Sequence, residues 1–163
     1  MRLDFLEAGE IVTTHGIRGE LKVMPWGDSP EFLTGFRRVQ IDGMDYKVIS
    51  CRIQKTCNLL KLDGINSIED AQMLRGKIVM IHREDAPKDL IFAAELVGVE
   101  VFSDGVSIGK VTEVLDYPGN KVYVVVGKHT YFIPAVKQFV HDIDLDNNTM
   151  LVTIIEGMRT DES

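Results

Sequence analysis

Short runs in which apolar and polar residues alternate dominate the chain, and a period of two predicts strands rather than helices. In the first half we expect six strands, near residues 6–14, 19–25, 37–41, 44–54, 57–62 and 77–82. Ser29 followed by Pro30 predicts a helical turn near 30–35, and Ser67 followed by acidic residues predicts a second short helix. Asp42-Gly43 is a strong two-residue hairpin signal. The first half is therefore predicted to be a closed six-stranded barrel, since closure removes exposed edge strands.

The second half has the same character. We expect strands near 97–102, 107–116, 121–126, 129–133 and 149–155, with one helical turn over 135–141. Asp104-Gly105, Gly127-Lys128 and Asn147-Asn148 are turn pairs between these strands. The polar, proline-containing stretch 83–89 separates the two halves and is the candidate linker. About five short strands predict a second small barrel, and hence an all-β protein of two small β-barrel domains.

The two halves differ more in net charge than in their pattern of apolar and polar residues. Residues 1–84 contain 12 Lys and Arg and 12 Asp and Glu, whereas residues 85–163 contain 6 and 13, so the whole net charge of −7 lies in the second half. Affinity for a nucleic-acid backbone comes from cations. The first half is therefore the candidate for RNA contact, and the acidic second half suits a basic protein.

Composition argues against several classes of protein. No apolar run approaches the ~20 residues that span a bilayer, and residues 1–4 lead directly into the first predicted strand, so we expect no signal peptide and a cytoplasmic protein. Cys51 and Cys57 lack the spaced partners of a zinc site. Asp142, Asp144 and Asp146 have a calcium-loop spacing without its glycine and glutamate, and we interpret them as a solvated acidic face. We expect no metal and no cofactor.

The hairpin of residues 9–23 is the most informative segment. Its five-residue loop, His15-Gly16-Ile17-Arg18-Gly19, places the cation Arg18 at its tip, and Lys22 follows in the next strand. No serine, cysteine or aspartate stands at a triad spacing from His15, so the loop is interpreted as a contact device. It also lacks the lysine and serine or threonine of a nucleotide-binding P-loop.

Further basic and aromatic residues extend the candidate RNA contact. Arg37 and Arg38 point to opposite faces of a strand, so at most one can join a common patch. The candidate RNA-binding residues are His15, Arg18, Lys22 and Arg38. Trp26 suits either the barrel core or a base-stacking platform, and the core is the preferred interpretation.

An ordered set of motifs runs through about 150 residues and resembles the family of the ribosome maturation factor RimM. The hairpin 9–23 resembles the family's N-terminal signature, and further motifs follow in order: Leu62-Asp63-Gly64-Ile65, Leu74-Arg75-Gly76-Lys77, Leu96-Val97-Gly98-Val99-Glu100-Val101, Ile108-Gly109-Lys110-Val111 and Ile133-Pro134-Ala135-Val136. The resemblance implies an N-terminal barrel over 1–84 and a PRC-barrel domain over 90–158. The polar composition of 85–89 predicts the linker between them, and that of 159–163 predicts a flexible tail.

The resemblance also implies a function. It implies a monomeric, non-enzymatic assembly factor that binds the small-subunit ribosomal protein number nineteen and the head region of 16S rRNA in the precursor of the small ribosomal subunit, without contact to membrane or DNA. The family commonly has two adjacent tyrosines where this chain has Ile91 and Phe92. These two residues, and the turn residues Asp116, Tyr117, Pro118 and Asn120, are the candidate contacts to the protein partner.

Two other functions stay open on the sequence. One is a small-barrel enzyme, such as a cofactor-binding oxidoreductase, which absorbance of a bound flavin or nucleotide would reveal. The other is a PRC-barrel scaffold that acts in a different complex, which identification of co-purifying proteins would reveal.

Overall fold

The computed structural model describes residues 2–26 and 29–160, and they divide into two compact units. The first is Asp4–Lys88, and the second consists of the residues from Asp89 onward together with Arg2 and Leu3. Strands make up about half of each unit and the helices are short, so the predicted all-β class is confirmed. Among the described residues, none of the helices has the length and hydrophobicity needed to cross a membrane.

Six strands form the first unit, in agreement with the sequence pattern. Paired in the order β1-β2-β5-β4-β3-β6, they make a closed barrel. Their bounds are β1 Phe5–His15, β2 Glu20–Pro25, β3 Arg38–Ile41, β4 Met44–Gln54, β5 Cys57–Leu62 and β6 Ile78–His82. The side chains that alternate inward are fully buried and form the core, among them Ile11, Leu21, Val23, Val39, Ile41, Leu60, Leu62, Val79 and Ile81. Period-two patterning thus sets both the strands and the core face.

Short helical segments connect these strands. A 3₁₀ helix, Pro30–Gly35, begins after Ser29, whose hydroxyl accepts from the backbone N–H of Glu31 at 3.2 Å. Helix α1, Ile68–Gln72, begins after Ser67, whose hydroxyl accepts from the N–H of Asp70 at 3.1 Å. Both serines are N-caps, as the sequence predicts. A second 3₁₀ helix, Arg83–Asp85, follows β6.

The second unit contains helix α2 and a six-stranded sheet, one strand more than the sequence predicts. The elements are α2 Ala93–Leu96, β7 Glu100–Ser103, β8 Val106–Tyr117, β9 Asn120–Val126, β10 Thr130–Pro134, β11 Val140–Asp144 and β12 Thr149–Val152. The sheet order is β10-β9-β8-β7-β12-β11. The helical turn predicted over 135–141 is shorter than expected: the N–H groups of Phe139 and Val140 both donate to the oxygen of Val136, at 3.0 and 2.9 Å, but β11 already begins at Val140.

A single cluster of buried residues forms the core of this unit among the described residues. It includes Val101, Val111, Val125, Ile133, Met150 and Val152 from five different strands. Met158 is also buried in this cluster, and its backbone oxygen accepts from the N–H of Phe132 at 2.9 Å. Arg159 forms an antiparallel bridge with Tyr131. The segment 158–160 therefore pairs along the edge of β10. The predicted flexible tail, 159–163, thus begins with two residues that pair with the sheet.

Candidate functional site

The β1–β2 hairpin presents a short loop with an exposed cation. Gly16, Ile17 and Arg18 are exposed, whereas Gly19 is buried. Gly16 and Gly19 have φ angles of +66° and +88°, which residues with a side chain rarely adopt. The loop thus owes its shape to its two glycines, and that shape holds Arg18 at the surface.

Strand pairing collects polar side chains on one outer face of the barrel. His15 lies opposite Glu20, and Lys22 lies opposite Leu59, which in turn lies opposite Arg52. Directly opposed residues in antiparallel strands share a face. We call His15, Glu20, Lys22, Arg52 and Lys61, together with Arg18 in the loop, the hairpin face.

The cations of the hairpin face differ in whether a nearby carboxylate neutralises them. Arg52 donates to the Glu20 carboxylate through both Nε and Nη2, at 3.2–3.3 Å. Arg18 and Lys22 form no ion pair with any acid in the described part of the chain. These two cations therefore have the most capacity for an external anion such as a phosphate.

Lys61 fixes the loop that holds Arg18. Its ammonium group donates to the backbone oxygen of Arg18 at 2.9 Å, to the side-chain oxygen of Asn66 at 3.0 Å, and to the backbone oxygen of Ile65. These three acceptors belong to two loops, the hairpin loop and the loop between β5 and α1. Because one ammonium ties both loops together, Lys61 is a positioning residue for the loop.

Close backbone packing reinforces this tie at Gly19. A Cβ atom on Gly19 would lie 2.8 Å from the carbonyl carbon of Ile65, 3.1 Å from the nitrogen of Asn66, and closer still to the oxygen of Ile65. A Cβ on Gly16, by contrast, would meet nothing within 4 Å. Glycine is thus required at position 19 for contact as well as for backbone conformation.

Arg38 lies away from the hairpin face. It is on β3, and its guanidinium donates to Asp85 through Nε at 2.6 Å and to Glu84 through Nη2 at 2.5 Å. The hydrogen bonds that Arg38 donates to these two carboxylates raise the pKa of Arg38, and the bond to Asp85 lowers the pKa of Asp85. Two acids compensate this cation, which leaves it less available to a phosphate than Arg18 or Lys22.

Trp26 is not in the core, so the preferred interpretation from the sequence is wrong. Its side chain is 51% exposed, because it continues β2 on the outward side, where Lys22 and Met24 also point.

The second unit has an apolar face on the outside of its sheet. Tyr123, Val125 and Ile133 point into the core, so the residues that alternate with them point outward. Pairing across β8, β9 and β10 brings these outward residues together: Leu115 opposite Val122, and Val124 opposite Phe132. Tyr117 and Val126 extend the same face along their strands. We call these six residues the apolar outer face.

Three residues of the apolar outer face are prominently exposed. They are Tyr117 at 53%, Val126 at 42% and Phe132 at 41%. Glu113 and Lys110 are the charged residues that the β8–β9 pairing places on the same side within the sheet. Exposed apolar side chains in a contiguous group mark interaction surfaces.

The predicted partner residues lie on two separate elements. Tyr117 and Asn120 lie opposite each other beside the Pro118-Gly119 turn, and both belong to the outward side. Asp116 pairs with Lys121 and points to the alternate side. Ile91 is exposed and Phe92 is half-buried just before α2, where the backbone oxygen of Phe92 accepts from Glu95.

No group of three metal-binding side chains is found in residues 2–26 and 29–160. Asp144, one member of the acidic series in the sequence, accepts from the side-chain amide and backbone N–H of Asn147, which lowers the pKa of Asp144. Its carboxylate thus shapes the β11–β12 turn.

Comparison with known families gives a match over nearly the whole chain. Residues 6–86 match the family model of the RimM N-terminal domain, and residues 93–158 match that of the RimM PRC barrel domain. The chain belongs to the RimM family. The first unit thus corresponds to the RimM N-terminal domain, and the second unit corresponds to the RimM PRC barrel domain.

Curated relatives agree with the family models. A ribosome maturation factor RimM of Clostridium botulinum strain Hall is 40% identical over 157 residues, which cover 94% of this chain and 96% of the relative. Proteins of the same name in Clostridium novyi strain NT and Clostridium tetani strain Massachusetts are 36% and 38% identical, over 93% and 91% of this chain and 96% and 93% of theirs.

Two parts of these surfaces were missed by sequence reasoning. Lys61 interrupts an otherwise mainly apolar strand, which is a signal for a special role, but its acceptors come from loops that only the fold brings together. The continuous apolar run of Val122–Val126 indicates a strand that is apolar on both faces. That run is the sequence signal for the apolar outer face.

Proposed function

We propose that the chain is a non-enzymatic, cytoplasmic assembly factor that acts as a monomer in maturation of the small ribosomal subunit. Family membership supports the general role, since the curated relatives are named ribosome maturation factors. The observation that carries the proposal further is the division of surfaces: two uncompensated cations on a fixed loop and strand of the first unit, and an apolar outer face on the acidic second unit.

In this proposal the hairpin face contacts the head region of 16S rRNA. Arg18 and Lys22 bind backbone phosphates, and His15 contributes at the base of the same loop. Lys61 supports the geometry, because a loop held to its neighbour loses less conformational entropy on binding than a free one. Arg38 remains a weaker candidate, since Glu84 and Asp85 already neutralise its charge.

The second unit binds the basic small-subunit ribosomal protein number nineteen. Tyr117 and Phe132 supply aromatic anchors on the apolar outer face, and truncation of such anchors typically costs the most affinity. Asn120 and Pro118 form the rim at the β8–β9 turn, with Asp116 beside it. Ile91 and Phe92 form a second contact. The acidity of the second half speeds encounter with a basic partner.

The proposed mechanism is a holding one without covalent chemistry. A factor that binds the ribosomal protein only in its docking-competent conformation biases the population toward that conformation. Contact of the other unit with rRNA then brings the protein near its binding position at a raised effective concentration.

Crosslinking to precursor small subunits tests the RNA contact. The double substitution Arg18→Ala with Lys22→Ala should lower crosslinking to 16S rRNA and leave the fold intact, since such exposed changes usually alter stability by less than ~0.5 kcal/mol. The matched control, Lys110→Ala with Lys128→Ala, removes the same charge from exposed positions of the second unit. Equal losses in the two double variants would mean that net charge, and not the hairpin, determines the contact.

Titration calorimetry with the purified basic ribosomal protein tests the protein contact. Phe132→Ala should weaken binding by ~2 kcal/mol, about 30-fold. Val106, an exposed apolar residue of the β7–β8 hairpin, provides the control Val106→Ala. Unchanged affinity in Phe132→Ala, with a normal melting temperature, would move the contact to the Ile91 and Phe92 segment.

A further inference from the structure

Trp26 is a large aromatic residue at the barrel surface whose backbone is hydrogen-bonded to β1. Its backbone N–H donates to the oxygen of Ala8 at 3.0 Å, so the β1–β2 ladder extends beyond the last residue of β2. About half of its side chain is exposed. Burial of a tryptophan ring is strongly favourable, so an exposed ring on a fixed backbone indicates a ligand surface more than a packing element.

Its neighbours on the strand define what such a ligand would be. Lys22, Met24 and Trp26 alternate onto the same outward side of β2, and Met24 is 41% exposed. At ~3.3 Å per residue, the Cα atoms of Lys22 and Trp26 are about 13 Å apart. A cation, an apolar side chain and an aromatic ring thus follow one another along one strand, with Arg18 beyond Lys22 in the loop.

We propose that Trp26 and Met24 form a binding site for an unpaired base of a single-stranded RNA segment whose backbone is held by Lys22 and Arg18. Bases in a helix are stacked and cannot reach an aromatic side chain, whereas unpaired bases stack on one readily. Two cations without an acidic partner among the described residues, Lys22 and Arg18, lie further along the same face, and Glu10 lies opposite Met24. The two cations favour a polyanionic strand over an apolar peptide, which would not need them. This inference rests on the proposed contact of the hairpin face with RNA and adds the type of RNA that it recognises.

The chain offers a direct probe, because Trp26 is its only tryptophan. Titration of the full-length protein with single-stranded oligoadenylate should change the fluorescence of Trp26, and an RNA duplex of equal length should leave it nearly unchanged while still binding electrostatically. Filter binding at fixed salt should show a loss of about 5- to 150-fold for Trp26→Leu, the range of one lost base–aromatic stack. Trp26→Phe keeps an aromatic face and should retain most of the affinity.

The outcomes separate this inference from the function on which it rests. Unchanged affinity of Trp26→Leu for oligoadenylate, with weaker binding by Arg18→Ala with Lys22→Ala, overturns the base site and leaves the backbone contact in place. Equal losses in Trp26→Leu and Trp26→Phe, with circular-dichroism melts like that of the unsubstituted protein, also overturn stacking. Failure of the unsubstituted protein to bind either RNA overturns both proposals.

Discussion

Gly19 offers a sharp test of how the hairpin loop is held. Substitution by alanine adds one methyl group at a backbone φ of +88°, directly against the backbone of Ile65 and Asn66. Two costs follow: the left-handed conformation, which costs a residue with a side chain ~1–2 kcal/mol, and the contact, which resembles overpacking at ~1–3 kcal/mol. We therefore expect Gly19→Ala to destabilise the first unit by about 2–5 kcal/mol.

Gly16 provides the matched control in the same loop. It also has a positive φ, of +66°, but a methyl group there would have open space around it. Gly16→Ala should therefore show the conformational cost alone, about 1 kcal/mol, since alanine also reduces the entropy of the unfolded chain. The difference between the two variants measures the contact between the loops, which Lys61 fixes by hydrogen bonds.

Urea-induced unfolding followed by tryptophan fluorescence is the assay, because Trp26 reports on the first unit. At an m-value of ~2 kcal/mol/M, a loss of 3 kcal/mol lowers the midpoint by about 1.5 M. Equal midpoints for Gly19→Ala and Gly16→Ala would refute the close approach of the two loops. A larger loss for Gly16→Ala would refute the assignment of the constraint to position 19.

Three further outcomes are expected. Arg38→Gln should reduce the loss of stability at low pH. Arg38 lowers the pKa of Asp85, so their ion pair stabilises the fold above about pH 4, and this stabilisation is lost as the pH falls. The same dependence of stability on pH in both proteins, measured by urea unfolding from pH 3 to 7, would contradict this prediction. Asn58→Ala should cost ~1–3 kcal/mol, because the fully buried amide donates to the oxygen of Pro30 at 2.9 Å; an unchanged urea midpoint would count against that bond. Met158→Ala should lower the calorimetric melting temperature of the second unit, since Met158 is buried in its core, whereas Glu156→Ala at an exposed position should not; equal effects would contradict the role of Met158.

The sequence predicts the first barrel almost completely, because its signals are local. Alternation identifies each strand, and Asp42-Gly43 has positive φ at both residues, as a tight hairpin turn needs. Ser29 and Ser67 mark their helices through one side-chain oxygen each. None of these features depends on a contact between distant residues.

The strand β11 was missed for a physical reason. A bulge interrupts its pairing with β12 between Val140 and Asp142, so Val140 and Ile143 both pack toward the core although they are three residues apart. Together with Val136 and Phe139, this spacing of three and four residues imitates one face of a helix. Periodicity alone therefore predicts the wrong element wherever a bulge shifts the alternation.

The surfaces were less predictable than the fold. Arg18 and Lys22 could be named from the hairpin pattern, but the compensation of Arg38 depends on Glu84 and Asp85, which are more than 40 residues away in the chain. Exposure of Trp26, by contrast, follows from local alternation, because Trp26 has the same parity as Lys22 and Met24 on β2. The compensation of Arg38 is the feature that no local pattern encodes.

The order of the two units along the chain has a consequence during protein synthesis. All strands of the first unit lie within Asp4–Lys88, whereas the core of the second unit includes Met158, about 70 residues later. At ~5–20 residues per second, the ribosome makes Met158 about 4–14 seconds after Lys88. The first barrel therefore has time to close while the second is still being made, and the acidic unit completes its core only after the hairpin face has formed.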